Sequence, residues 1–505
     1  MKQIFFRNNY LQCAGKFFLL LFLFQGIIFS ESKAQAVLGV DTLINSGDQS
    51  NRINLVFLGD GYTSAQQTKF ISDVNTIVNK LFSTEPFNHY INFFNVYAVK
   101  VVSVDSGADH PQTAGDCISF TPAVPTSSVN TMLGATFDYG GLHRLLYCTN
   151  TANINSILQY YTPFYDKALI VVNSPFYGGS GGTFPTCSTE PNSAEIMIHE
   201  LGHSFAGLGD EYGGSSCGGA EKPNCTQETN PLLVKWKNWF PAAAAIPTPA
   251  NTNCDSIGLY QGANYCNTNW YRPKCNCKMN QLGVPFCSVC TQELVYTINN
   301  TLNLIESFSP ATSVVHFANG ETKSFSIATL NPIPNSLNTT WKLDGQIISA
   351  NTNSFDITAT VFNSGLHTLI FTVSDASNLS RTQMPEYSTS WNLIIEGPTE
   401  VNNNNSQIPS AAIALSENEI VPDENVFSIY PNPTLDRFYL LTNFSSNKKI
   451  NFILTDVFGK ELLRNETNTQ AVLREGIDLS DLSRGIYLLQ INSGNISEVK
   501  RVIKQ

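Results

Sequence analysis

The chain has 505 residues, 42% of them hydrophobic and only 14% charged, with a formal net charge of −11. Such a length exceeds what one ordinary core supports and implies two to four domains. The acidic balance, spread along the chain without blocks, argues against nucleic-acid binding, and few charges with abundant Asn, Thr and Tyr fit an exported, β-rich or mixed fold.

The first 36 residues read as an export signal. Lys2, Arg7 and Lys16 form a basic start, FFLLLFLFQGIIF (17–29) is the apolar stretch, and Ala34-Gln35-Ala36 offers a small-x-small cleavage site. Those 13 residues are short for a membrane span of about 20, so cleavage is expected rather than anchoring. No later segment is long and apolar enough to cross a bilayer, so the mature chain is expected to have no transmembrane segment.

Residues 37–300 read as one α/β unit. INLVFLGDGY (53–62) is an apolar strand ending in a Gly-Asp-Gly turn, where Asp60 is read as structural rather than cation-binding. TSAQQTKFISDVNTIVNKLF (63–82) has helical spacing, with Phe70, Val74, Ile77, Val78 and Leu81 on one face. FFNVYAVKVVSV (93–104) and KALIVVNS (167–174) return as strands, the second a good central one. The rim VVNSPFYGGSGG (171–182) is either a glycine-rich surface loop or an edge strand to which a peptide adds. Loss of the signal removes Cys13 and leaves eleven cysteines, all between Cys117 and Cys290. In an exported protein they read as disulfides, with at least one thiol left over. A structural zinc on Cys275-x-Cys277 and Cys287-x-x-Cys290 is the lesser alternative.

The chemistry concentrates in HELGHSFAGLGDEY (199–212). On a helix, positions four apart share a face, so His199 and His203 can hold one metal ion while Glu200, about 100° round, stands beside it as a proton acceptor. Gly207 and Gly209 are expected to end the helix and turn the chain back. A third ligand six residues beyond the second histidine would fall on Gly209, which has no side chain. Asp210 is the preferred third ligand, and Glu211 is its rival. Zn2+ suits such a nitrogen and oxygen set, and the sequence assigns no structural Ca2+.

HELGHSFAGLGDEY, together with FLGDGY (57–62), TEPF (84–87) and SGADHP (106–111), resembles the IgA-peptidase family of metzincin-like zinc metallopeptidases over roughly residues 45–300. The resemblance implies one catalytic zinc on His199, His203 and Asp210, with Glu200 as general base and acid. It also implies a methionine turn beneath the metal, for which Met279 in CNCKMN is the candidate, packing under the histidines without ligating.

Downstream, residues 305–396 hold short alternating strands (KSFSIATL, TTWKLDGQII, GLHTLIFTVSD, WNLIIE) typical of a β-sandwich, loosely similar to immunoglobulin-like or PKD-like modules. Residues 397–425 are polar and of low complexity, a flexible linker. Residues 426–505, with FSIYPNPTLDRFYL, DVFGKEL, LSDLSRGIYLLQI and KRVIKQ, resemble the type IX secretion sorting domain of Bacteroidetes, which implies passage through the outer membrane on that machinery. The expected architecture is an α/β metzincin-like zinc peptidase domain, a β-sandwich module and a small C-terminal β-sandwich domain. The expected function is a secreted zinc endopeptidase acting on extracellular proteins, with zinc-bound water activated by Glu200. The contrasting reading is a catalytically silent surface adhesin built on a peptidase fold.

Overall fold

The computed structural model describes residues 35–504 apart from 118–123, 215–216, 243, 250–253, 360–363, 397–426, 431, 443–448, 457–458, 469–475 and 494–495. The export signal lies almost wholly outside the described residues, and so does the expected linker. Among the described residues, no helix is long and apolar enough to cross a membrane.

The chain forms two compact units, residues 1–395 and 396–505. At the centre of the first is a six-stranded mixed sheet built from β1 (Ala36–Ile44), β2 (Ile53–Asp60), β3 (Phe94–Val102), β4 (Lys167–Val172), β5 (Gly179–Ser180) and β6 (Thr186–Cys187). Its order is β1-β3-β2-β4-β6-β5, with β2 parallel to both β3 and β4, β4 parallel to β6, and antiparallel strands at the two edges. Every residue of β2 is buried, which explains its unbroken apolar run: a central parallel strand is covered on both faces. Leu55 and Phe57 face one layer, and Val56 and Leu58 face the other, the two-residue alternation of a strand.

Helix α1 (Gln67–Leu81) covers the Leu55 face with the stripe Phe70, Val74, Ile77, Val78 and Leu81, all buried. Helices α3 (Ser193–Ala206) and α4 (Ser288–Thr301) extend that layer, while α2 (Thr151–Tyr161) packs Ile154, Ile157 and Leu158 on the opposite face. Asp60 ends β2 fully buried, accepting hydrogen bonds from Leu133 N (2.9 Å), Ala135 N (2.9 Å) and Ser103 Oγ (3.1 Å). It therefore ties a loop to the sheet, which is the structural role read from the sequence.

A β-sandwich follows. One sheet holds Ile305–Ser309, Thr322–Thr329 and Ser354–Thr358, and the other is built on Leu337–Leu343, Gly365–Asp375 and Glu386–Ile395. Trp341, Phe371, Phe325 and Trp391 meet between them. This module shares one continuous core with the α/β unit. Buried Asp375 is the hub of the junction: it accepts from Tyr90 Oη, from Asn299 Nδ2 (3.1 Å) and from Ser336 Oγ (2.6 Å). Arg381 also lies over the Trp239 ring, 4.4 Å from its centroid.

The second unit is a smaller sandwich. A three-stranded sheet (Phe427–Tyr430, Arg437–Thr442, Ile477–Asp478) faces a four-stranded antiparallel one (Lys449–Asp456, Glu461–Asn468, Gly485–Ser493, Ile496–Lys504) across a core that includes Phe438, Leu440, Phe452 and Leu489.

The expected disulfides form in part, with more than one thiol left over. Only Cys217–Cys266 and Cys254–Cys275 are bonded, leaving seven free thiols among the described residues. Several of these, such as Cys187 in the sheet and Cys148 beside α2, are buried in apolar surroundings, where a thiol packs as a small hydrophobe. The alternative structural-zinc set is altered too, because Cys275 is taken by its disulfide.

Candidate active site

Helix α3 buries Ile196, Met197, Ile198, Leu201 and Ala206 against the core, which leaves His199, Glu200 and His203 to turn toward a cleft of about 610 Å³. Gly207 ends the helix in the left-handed region (φ 65°), a conformation that costs glycine little. The returning chain places Leu208 O 2.7 Å from His203 Nδ1 and brings Asp210 beneath the rings.

His199 Nε2 and His203 Nε2 lie 3.1 Å apart, and Asp210 Oδ1 is 3.2 Å from the first and 3.4 Å from the second. Each Nδ1 is engaged by a backbone carbonyl, Lys278 O at 2.9 Å for His199 and Leu208 O for His203. A carbonyl only accepts, so each Nδ1 carries a proton and Nε2 is the nitrogen left facing inward, the lone-pair donor of a neutral ring. Asp210 Oδ1 is buried and has no hydrogen-bond partner, while Oδ2 accepts from Tyr265 Oη. Three lone-pair atoms thus face one point. Their separations match the edges, about 3.3 Å, of a tetrahedron of N and O ligands about 2.0–2.1 Å from a zinc ion. The donor set fits a divalent cation of that kind.

Burial would raise the Asp210 pKa, but the two imidazoles hold it well below the usual carboxylate range. Burial likewise lowers the His203 pKa, and Asp210 beside it more than reverses the effect. Glu200 also brings an oxygen within 4.8 Å of both imidazoles. Both carboxylates line the cleft, but Asp210 is the buried one and has an otherwise unpartnered oxygen. Burial raises the Glu200 pKa above the ordinary carboxyl value, and the histidines offset this only in part. Gly181 leaves room for it: a Cβ there would fall 2.5 Å from Glu200 Oε2.

Glu211 goes elsewhere. It is fully buried, 3.0 Å from Cys290 Sγ and 2.9 Å from Asn224 Nδ2, in a group with Cys277 and Cys287. Met279 is fully buried under α3, where a Cβ on Gly202 would lie 3.0 Å from its sulfur. Its carbonyl accepts from Glu211 N at 2.8 Å, stitching this turn to the Asp210 segment. The glycine-rich rim contains β5, the edge strand of the sheet, and Gly179–Gly182 line the cleft beside Glu200.

Tyr265, which holds Asp210, and Lys278, whose carbonyl holds His199, were not singled out from the sequence. They lie 55 and 79 residues from their partners, and neither belongs to a motif that ties it to the helix. Lys278 is itself buried against Glu195, which also pairs with Lys80 at 2.8 Å.

The family model described as IgA Peptidase M64 matches residues 42–256 and 250–298, and that described as Secretion system C-terminal sorting domain matches residues 428–505. None of the curated proteins matches the chain. Among solved structures, dimeric latent PorU from Porphyromonas gingivalis is 14% identical, covering 40% of this chain and 20% of its own, with a TM-score of 0.17. The fibronectin(III)-like modules of Clostridium thermocellum CbhA are 7% identical, covering 39% and 93%, with a TM-score of 0.15. SGBP-B of the Bacteroides ovatus mixed-linkage glucan utilization locus, in complex with a mixed-linkage heptasaccharide, is 14% identical, covering 38% and 42%, with a TM-score of 0.13. Scores this low do not indicate a common fold. The sorting domain directs the protein through the type IX system to the cell surface or the medium.

Proposed function

The chain belongs to the IgA peptidase M64 family, and from that premise we propose that it is a secreted zinc endopeptidase cleaving extended segments of extracellular proteins, on a metzincin-like scaffold. The observation that carries the reading is the convergence of His199, His203 and Asp210 on one point beside Glu200, inside an open cleft.

In this reading His199, His203 and Asp210 hold the metal, and Met279 forms the floor beneath the helix. Zinc in that position supplies Lewis-acid polarisation of the scissile carbonyl and acidifies a water. Glu200 accepts the proton of the attacking water and delivers it to the leaving amine, and its burial-raised pKa suits both roles. The two backbone carbonyls on the Nδ1 atoms fix ring tautomer and orientation. The rim at Gly181–Gly182, beyond the paired Gly179, aligns the substrate backbone as an added strand. The test is cleavage of an unfolded protein by the wild type and by Glu200→Ala. The account expects chelator-sensitive cleavage by the first and none by the second, with zinc content equal. A silent adhesin would cut nothing in either form.

A further inference from the structure

Away from the three zinc-directed side chains, four others converge on a second point: His110, Cys117, Asp138 and His143. The two histidines and Asp138 are buried, and Cys117 is partly exposed and forms no disulfide. All six separations are short. His110 Nε2 lies 3.1 Å from His143 Nδ1 and 3.3 Å from Asp138 Oδ1, and His143 Nδ1 lies 2.9 Å from Asp138 Oδ1. Cys117 Sγ is 3.3 Å from Asp138 Oδ1, 3.4 Å from His143 Nδ1 and 3.9 Å from His110 Nε2.

Protons alone account poorly for this arrangement. His110 Nδ1 faces Pro125 O at 3.1 Å, a group that only accepts, so that nitrogen carries a proton and Nε2 is the nitrogen left to face inward as a ligand. Asp138 Oδ1 brings lone pairs only. The Cys117 S–H can donate to Asp138 Oδ1 and His143 Nδ1–H can do the same, but two protons cannot bridge all six close pairs. A neutral His110 would set its Nε2 lone pair 3.3 Å from Asp138 Oδ1, whereas a cation at the centre attracts all four. The separations suit one. Ligands about 2.0–2.1 Å (N, O) and about 2.3 Å (S) from a tetrahedral zinc stand about 3.3 Å apart, or about 3.6 Å where sulfur is involved. Outer contacts of the kind that orient metal ligands are in place as well: Pro125 O on His110, and Thr113 N donating to Asp138 Oδ2 at 2.8 Å.

We propose that His110, Cys117, Asp138 and His143 hold a structural zinc ion, separate from the one in the cleft. With four protein ligands the site has no open position, the mark of a structural rather than a catalytic ion. It clamps the turn from Asp138 to His143. The chain leaving that turn carries Arg144 and Leu145, which line the cleft with Leu142. Arg144 O accepts from Gly179 N at 3.1 Å, so the ion fixes β5 and the wall beside Glu200. The site stands whether or not the cleft is a peptidase; only its effect on substrate rests on that reading.

The test is zinc content per folded chain, by mass spectrometry, for the full-length wild type and for Cys117→Ser/His143→Ala, with zinc-edge anomalous diffraction from wild-type crystals. The Glu211 cysteine cluster and the cleft are common to both proteins, so their difference isolates this site. The expected result is one zinc fewer per chain in the variant and an anomalous peak among the four side chains. Equal zinc content, or no peak there in zinc-supplemented crystals, overturns the proposal. Because the diffraction arm needs no substitution, misfolding of the variant does not shelter the proposal. Neither arm reads proteolysis, so failure here is distinct from failure of the cleft assignment.

Discussion

Asp210 and Glu211 are consecutive in sequence yet serve different neighbourhoods: Asp210 meets two imidazoles at 3.2 and 3.4 Å, while Glu211 meets the Cys290 thiol at 3.0 Å. The peptide between them separates a cleft from a core. Asp210→Ala is therefore expected to weaken zinc binding in the cleft by at least the about 10–100-fold typical of losing an outer partner, and to abolish cleavage. Glu211→Gln should keep the cleft zinc. Zinc titration of the two variants checks the assignment, and cleft zinc lost from Glu211→Gln but kept by Asp210→Ala would reverse it.

Gly181 and Glu200 give a steric prediction. A methyl group at 181 would stand 2.5 Å from Glu200 Oε2, so the carboxylate must swing away. Since general acid–base catalysis contributes about 10²–10⁴-fold, Gly181→Ala should lower kcat at least about tenfold with zinc affinity unchanged. Unaltered kcat would mean that Glu200 is not held where the reaction needs it.

The floor beneath the helix is tight. At Gly202 a Cβ would meet the Met279 sulfur at 3.0 Å, and forcing atoms into a packed core costs about 1–3 kcal/mol. Methionine is flexible and alanine favours helix over glycine by about 1 kcal/mol, so Gly202→Ala is expected near the lower end, about 1 kcal/mol destabilising by denaturant unfolding. Stabilisation by this variant would show that the contact is slack.

Stability should depend on pH through Glu195. Burial raises its pKa, but buried Lys278 and the nearby Lys80 outweigh that and leave it below the ordinary value. A depressed carboxyl stabilises the fold above its unfolded pKa of about 4.3, and that contribution is lost as pH falls through the folded value. Glu195→Gln strands a lysine that is only 2% exposed. It should cost about 3 kcal/mol at pH 7, within the range for breaking a buried pair, and less at an acid pH below the unfolded carboxyl value. Equal costs at both pH values would contradict the ion-pair account.

The histidine pair, Glu200 and the end of α3 were legible because helical periodicity and a left-handed glycine act within a few residues. The choice between Asp210 and Glu211 stayed open in the sequence, since it depends on how the turn beyond Gly207 aims two adjacent carboxylates. β2 and β4 announced themselves by continuous apolar runs, and α1 by its spacing. Tertiary partners did not: Tyr265 on Asp210, Lys278 O on His199, and Asp375 joining the sandwich to Tyr90 and Asn299 depend on long-range packing. Export pointed to disulfides and two are formed, but which cysteines pair and which stay as buried thiols depends on tertiary packing. His110, Cys117, Asp138 and His143 form no recognisable spacing, and only the folded loops bring them together.

The central claim is a metal held by His199, His203 and Asp210 with Glu200 as the base. Its most direct test measures proteolysis of an unfolded protein by purified wild type, by the same sample after chelation and after zinc add-back, and by Glu200→Gln loaded with zinc. The account predicts cleavage, loss, recovery, and a fall of about 10²–10⁴-fold for the variant. Undiminished cleavage by the chelated enzyme, or by zinc-loaded Glu200→Gln, would contradict it.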